Sequence, residues 1–406
     1  MLRLILPEGA ERSALPLLAG RALRAFADGY VAVLLPAYLL ALGFGTWQVG
    51  VLSSATLLGS AFATLAVGAW GHRFSQRRLL LAAALLMVGT GAGFAGSADF
   101  WPLLLIAFVG TLNPSSGDVS VFLPLEHARL AEAAQGAART ALFARYSLAG
   151  ALFAALGALA AAVPDWLVLA AGLSRLAALR MMFAGYGAVG VAVWLLYRRL
   201  PLPHQEAPLP PAPLGPSRGV VVKLAALFSL DAFAGGLVVN SLLALWLFAR
   251  FDLSLAAAGM FFFWAGLLTA ASQLAAPWVA QRIGLLNTMV FTHIPANLCL
   301  ILAALAPSLA VALGLLLVRS ALSQMDVPTR SAFVMSVVTP SERAAAASFT
   351  AVPRSLASAA SPTLGGALFA AGWLAAPLVA CGLLKIVYDL TILMAFRNKD
   401  GVAAQR

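Results

Sequence analysis

Apolar residues fall in long runs separated by a few polar or turn-forming residues, and this pattern covers nearly the whole chain. The runs have approximate limits 15–42, 46–70, 78–97, 101–125, 140–163, 179–198, 220–248, 254–280, 285–306, 308–338, 343–371 and 374–396. A helix needs roughly 20 apolar residues to cross a bilayer, so the pattern predicts twelve transmembrane helices. Runs this continuous lack the in–out alternation of a membrane β-barrel. Connections such as "GFGTW" at 43–47 are short. The stretch "LPLPHQEAPLPPAPLGPSR" at 200–218 is rich in proline and polar residues and reads as a linker. It divides the spans six and six, giving bundles over residues 1–199 and 220–406 around a linker at 200–219.

Composition agrees. Of 406 residues, 62% are hydrophobic and 10% charged, against about 25% charged in soluble domains. The net charge of +11 raises the question of nucleic acid, and the placement of the charges answers it. With the N-terminus inside, Arg73, Arg77, Arg78, Arg129, Arg139, Arg198, Arg199, Arg218, Lys223, Arg282, Arg343, Arg397 and Lys399 fall on cytoplasmic segments. Outer loops hold Arg175, Arg180 and Arg250. That asymmetry predicts both termini in the cytoplasm, with the basic residues against membrane lipid and no nucleic-acid partner. The first residues, "MLRLILPEGAERSALP", read as a cytoplasmic tail rather than a signal peptide. Cys299 and Cys381 sit in apolar segments and read as small core residues.

Charges inside the spans are the informative exceptions. At bilayer depth each costs several kcal/mol, about 2.5–3.5 on insertion scales, so each needs a partner or a function. "GDVSVF" at 117–122 is followed by "RYSLAG" at 145–150, and "MDVPTR" at 325–330 by "RSLASA" at 354–359. Asp28 and Asp231 lie 203 residues apart, Asp118 and Asp326 208. Four acids repeating at half-chain spacing predict two parallel, pseudo-symmetric six-helix halves. In span ten, at about 100° per residue, Arg319, Ser323, Asp326 and Arg330 form one polar stripe on an otherwise apolar helix.

The 2–3 loop reads "GAWGHRFSQRRLL" at 68–80, and the 8–9 loop "APWVAQRIGLLN" at 276–287. With twelve spans and a central linker, the chain resembles the major facilitator superfamily. Gly68, Gly71, Arg73, Arg77 and Arg78 carry its loop signature. The match is imperfect. His72 stands at the expected aspartate, Ser75 replaces the second glycine, and Gln281 replaces the second-half aspartate, which puts that aspartate's gating role in doubt. The resemblance implies a secondary transporter working by alternating access, with the first and fourth spans of each half lining a central cavity.

Asp28, Asp231, Asp118 and Asp326 fall on those spans and are the candidates for proton coupling or substrate contact. Arg145, Arg354, Arg319 and Arg330 are candidates for gating or anion contact. Asp118–Arg145, and Asp326 with Arg354 or Arg330, read equally well as structural or gate pairs, as in sugar-porter-like members of the superfamily. Arg24, one turn before Asp28, is that residue's expected partner. Lys385 and Asp389, four apart, are expected to neutralise each other, and His293 to be a packed hydrogen-bonding residue. Tyr30, Asn113, Asn240 and Ser323 are cavity candidates.

There is no GxxxxGK phosphate loop, no metal-ligand spacing and no nucleophile beside a base. The reading is therefore no enzyme, no cofactor and no metal. The resemblance to the superfamily implies a small-molecule transporter of the inner membrane, expected as a monomer, and an aspartate in span one of an otherwise apolar chain resembles its drug-efflux branches, which implies export in exchange for protons. Alternatives are an organic-anion or oxyanion porter using the arginines, a divalent-metal exporter using the aspartates, and, in a different class, a non-transporting receptor or assembly protein.

Overall fold

The computed structural model describes residues 6–115, 120–201, 215–339 and 342–397. Those residues form sixteen α-helices and no strand. They are α1 Leu15–Ala41, α2 Thr46–Trp70, α3 Gln76–Gly96, α4 Phe100–Val109, α5 Phe122–Glu132, α6 Gly136–Leu159, α7 Val163–Ala171 and α8 Arg175–Tyr197. Residues 202–214, most of the expected linker, lie outside the described residues; beyond them come α9 Arg218–Gly236, α10 Asn240–Phe251, α11 Leu255–Ile283, α12 Leu285–Ala304, α13 Leu309–Leu322, α14 Asp326–Val337, α15 Arg343–Ala370 and α16 Ala376–Phe396. Ten helical segments are long and apolar enough to cross a membrane. The broken pair α4–α5 and the alanine- and serine-rich α15 complete twelve spans at the positions expected from the hydrophobic pattern.

The chain divides into two compact units, Met1–Gln205 with Asn240–Phe263, and Glu206–Val239 with Trp264–Arg406. In the first, the closest pairings are α1 with α6 and α3 with α8. In the second they are α9 with α15 and α12 with α16. These are the same pairings, first span with fifth and third with sixth, in each half. Glycines make them close. A β-carbon on Gly29 would lie 2.1 Å from the Ala154 carbonyl oxygen, one on Gly157 1.9 Å from that of Phe26, and one on Gly236 2.3 Å from that of Ser358. Without a hydrophobic drive between helices in lipid, such small-residue contacts let backbones pack by van der Waals attraction.

Several spans are interrupted. In span four α4 ends at Val109, the described residues 110–115 that follow, Pro114 among them, are non-helical, and α5 begins at Phe122. Span seven is interrupted at 237–239, after Gly235 and Gly236. Span ten breaks at 323–325 and restarts at Asp326. Pro328 then occupies the first turn of α14, where its missing N–H costs no helical hydrogen bond. Non-helical backbone at membrane depth is tolerated where protein buries it or water reaches it.

Candidate functional site

In the first unit, α1, α5, α6 and α8 converge on Glu126, which is fully buried. Arg24 of α1 donates through Nη2 to both its carboxylate oxygens, at 2.6 and 2.5 Å. The hydroxyls of Tyr146 and Tyr197 also donate to Glu126. The Arg24 guanidinium lies over the Phe122 ring at 4.0 Å, and that of Arg21 over Tyr146 at 5.3 Å. Phe122, Tyr146 and Tyr197 belong to the apolar core of this unit, so the carboxylate is enclosed by aromatic carbon and fully hydrogen-bonded. Arg24 was expected to pair with Asp28, and the structure gives its ion pair to Glu126. The sequence holds Glu126 as a polar residue of a cytoplasmic loop, and only packing carries it back under α1. Asp28 is buried one turn further along α1, within electrostatic reach of Arg24 and Arg21.

Nearby in the same unit lie the non-helical residues of span four. Asn113 Oδ1 accepts from the Ser115 amide at 3.1 Å and the Ser115 hydroxyl at 2.8 Å. Asn240 Nδ2 donates to the Ser115 carbonyl at 2.9 Å, and the Ser241 amide to the Pro114 carbonyl at 3.0 Å. The break in span four is thus satisfied by the start of α10, which explains its persistence in an apolar setting. Tyr30 donates to the Met182 carbonyl at 3.2 Å. Asp118 lies outside the described residues, and with it the expected Asp118–Arg145 pair. Arg145, half-buried on α6, does have polar neighbours.

The second unit holds a network of four charges. Asp231 of α9 receives Lys385 Nζ of α16 at 2.5 Å and Arg330 Nη1 of α14 at 3.1 Å. Arg330 Nη1 also lies 3.2 Å from Asp326. All four residues are buried, and the Arg330 guanidinium lies over Phe228 at 5.6 Å. Beyond them, His293 Nδ1 lies 2.9 Å from Asp389, and Asn297 donates to the other oxygen of Asp389 at 3.4 Å.

This arrangement corrects two expectations and selects between the alternatives of a third. Lys385 and Asp389 do not neutralise each other: each takes a partner from another helix. Lys385 Nζ lies 2.5 Å from Asp231 on α9, and Asp389 lies 2.9 Å from His293 Nδ1 on α12. Of the two partners considered for Asp326, the structure selects Arg330. The continuous stripe on span ten does not form, because the helix breaks at 323–325, between Arg319 and Asp326. Arg319 sits on α13, within electrostatic reach of Cys299 and Cys381. Its Nε makes no hydrogen bond among the described residues. Ser323 is the turn residue closing α13, its amide bonded to the Arg319 carbonyl at 2.8 Å. Arg354 is exposed on α15 and forms no ion pair among the described residues.

Outside the membrane segments, Glu342 caps the turn before α15. It accepts from the Gly215 amide, from the Ser217 amide at 3.2 Å and from the Thr339 hydroxyl at 2.5 Å. Hydrogen bonding from Ser217, Thr339 and Gly215 holds its carboxyl well below the usual range, at about 2. Among the described residues no group of three or more His, Cys, Asp or Glu is placed to hold a metal ion.

Comparison with known proteins matches this architecture. The chain is 23% identical over 414 residues to the uncharacterized membrane protein YJR124C of Saccharomyces cerevisiae, covering 93% of this chain and 92% of that one. The crystal structure of a D-xylose-proton symporter superposes with a TM-score of 0.72 at 16% identity, covering 93% of this chain and 96% of that one. The nucleoside transporter NupG superposes with a TM-score of 0.71 at 15% identity, covering 95% and 99%. At those identities the likeness is one of fold. The sequence model of the Major Facilitator Superfamily matches residues 17–325, so the chain belongs to the Major Facilitator Superfamily of alternating-access transporters.

Proposed function

We propose that the chain couples movement of a small solute to protons, with Asp28 as the proton-carrying group. The supporting observation is that the two first-span aspartates sit in different charged surroundings, Asp231 between a lysine and an arginine and Asp28 near Arg24 and Arg21. Asp231 is held between Lys385 and Arg330. Two cations this close keep a carboxylate ionised, which suits a structural anchor. Arg24, one turn from Asp28, has its guanidinium committed to Glu126, while Asp28 remains buried. A buried carboxylate between desolvation, which favours its neutral form, and the nearby Arg24 and Arg21, which favour its charged form, is suited to load and release a proton as access alternates. The likeness of a first-span aspartate in an otherwise apolar chain to the drug-efflux branches of the superfamily favours antiport in the export direction, and the asymmetry of basic residues favours an inner-membrane orientation with both termini cytoplasmic. The proton coupling named for the xylose symporter belongs to that protein and supports only the general mode.

The test uses the full chain in proteoliposomes under an imposed pH gradient. Asp28→Asn should leave substrate exchange intact while abolishing accumulation against a gradient. Asp231→Asn should impair both, because it dismantles the network in the second unit. Normal gradient-driven accumulation by Asp28→Asn would remove Asp28 from the role, and net uptake coupled to inward protons would replace antiport with symport.

A further inference from the structure

We propose that Arg354 is the contact for an anionic group on the transported solute, and that this solute is a small organic monocarboxylate. Depth is the first argument. Arg354 is the twelfth residue of α15, so at 1.5 Å per residue it lies about 16 Å along the helix, near the middle of a hydrocarbon core roughly 30 Å thick. A guanidinium at that depth faces water or protein rather than lipid tails. Arg354 is exposed on α15, and at that depth the cost of lipid contact assigns an exposed guanidinium to an aqueous path.

Charge is the second argument. The neighbouring network closes on itself: Asp231 with Lys385 and Arg330, Asp326 with Arg330. Every carboxylate in it already has a cation within 3.2 Å. Arg354 has no such partner among the described residues. The charge acting on it most strongly is Arg330, a like charge, ahead of Asp231 and Asp326. Asp389, the remaining acid nearby, is taken up by His293 and Asn297. Arg330, Lys385 and Arg354 against Asp231 and Asp326 leave one positive charge over. One carboxylate balances it, whereas a phosphate dianion overshoots. The planar fork of Arg354 matches a carboxylate in bidentate geometry. The buried quartet is itself neutral, so the uncompensated charge is that of Arg354.

This inference rests on the chain being a transporter but not on Asp28 carrying protons. The full chain in neutral detergent is examined by thermal shift with acetate, lactate, benzoate and glucuronate, each beside its neutral amide. At least one carboxylate should raise the midpoint while its amide does not. Arg354→Gln should weaken that binding tenfold or more, and Arg354→Lys less, because the charge remains while the fork is lost. If Arg354→Gln fails to fold, Arg354→Lys decides, since it must still bind the carboxylate. Equal shifts from the amides, no shift from any carboxylate, or undiminished binding by Arg354→Gln would each overturn the proposal. A shift from phosphatidylglycerol in place of the soluble carboxylates assigns Arg354 to lipid and likewise overturns it. Carboxylate binding with normal accumulation by Asp28→Asn would leave this inference standing and the proton reading lost. Proton-driven flux of a neutral solute alone would do the reverse.

Discussion

Charged residues decide most at the scale of single side chains, because each lies where it costs most to be wrong. Lys385 and Asp231 are buried and 2.5 Å apart. Removing one partner of a buried pair leaves a charge without its counterion and typically costs 3–5 kcal/mol. Lys385→Met should therefore lower stability by about 3 kcal/mol, the lower end because Arg330 still reaches Asp231. Lys385→Met with Asp231→Leu should recover much of that loss, which thermal unfolding in detergent measures. Glu342 gives a pH dependence of known sign. Its folded-state pKa is depressed, from 4.5 to about 2, so its stabilising contribution is complete above about pH 4.5 and is lost as pH falls toward 2. The difference in unfolding midpoint between the parent chain and Glu342→Gln should be constant from pH 7 to 5 and shrink between pH 4.5 and 2.5. A difference that grows on acidification would contradict the hydrogen-bonded clamp around Ser217 and Thr339.

Between elements, the contacts that matter are backbone against backbone. The crossing of α1 and α6 depends on Gly29 and Gly157, whose missing β-carbons leave room for the facing carbonyls. Gly157→Leu should force these helices apart and cost about 1–3 kcal/mol or more, as overpacking does. Gly89→Ala, with open space around it, should be neutral, and yield with unfolding midpoint separates the two. The interrupted spans follow a different rule. Their freed backbone groups are met by specific partners, as Asn240 meets Ser115. Asn240→Leu should therefore destabilise by about 1–3 kcal/mol, the cost of a buried group left unsatisfied, although leucine suits the membrane better. The break in span ten was legible in principle, since Pro328 marks it, but the hydrophobic run through it gives no hint of where the helix restarts.

For the whole molecule, the distribution of arginines and lysines sets orientation. A cysteine in place of exposed Gly372, on the turn between α15 and α16, should react with an impermeant reagent from outside intact cells. One in place of Arg78, at the start of α3, should react only after permeabilisation, and the opposite pattern would invert the topology. Sequence by itself determined the twelve spans and the placing of Asp28 and Asp231 on the first span of each half. These follow from the length of apolar runs and from chain spacing, which bilayer thickness translates directly into structure. Only the tertiary structure decided which charges meet. Arg24 went to Glu126, more than a hundred residues away, and Lys385 to Asp231 rather than to Asp389 on its own helix. An ion pair forms where helix packing brings groups within about 3 Å and excludes water from them, and neither condition is written in the order of residues along the chain.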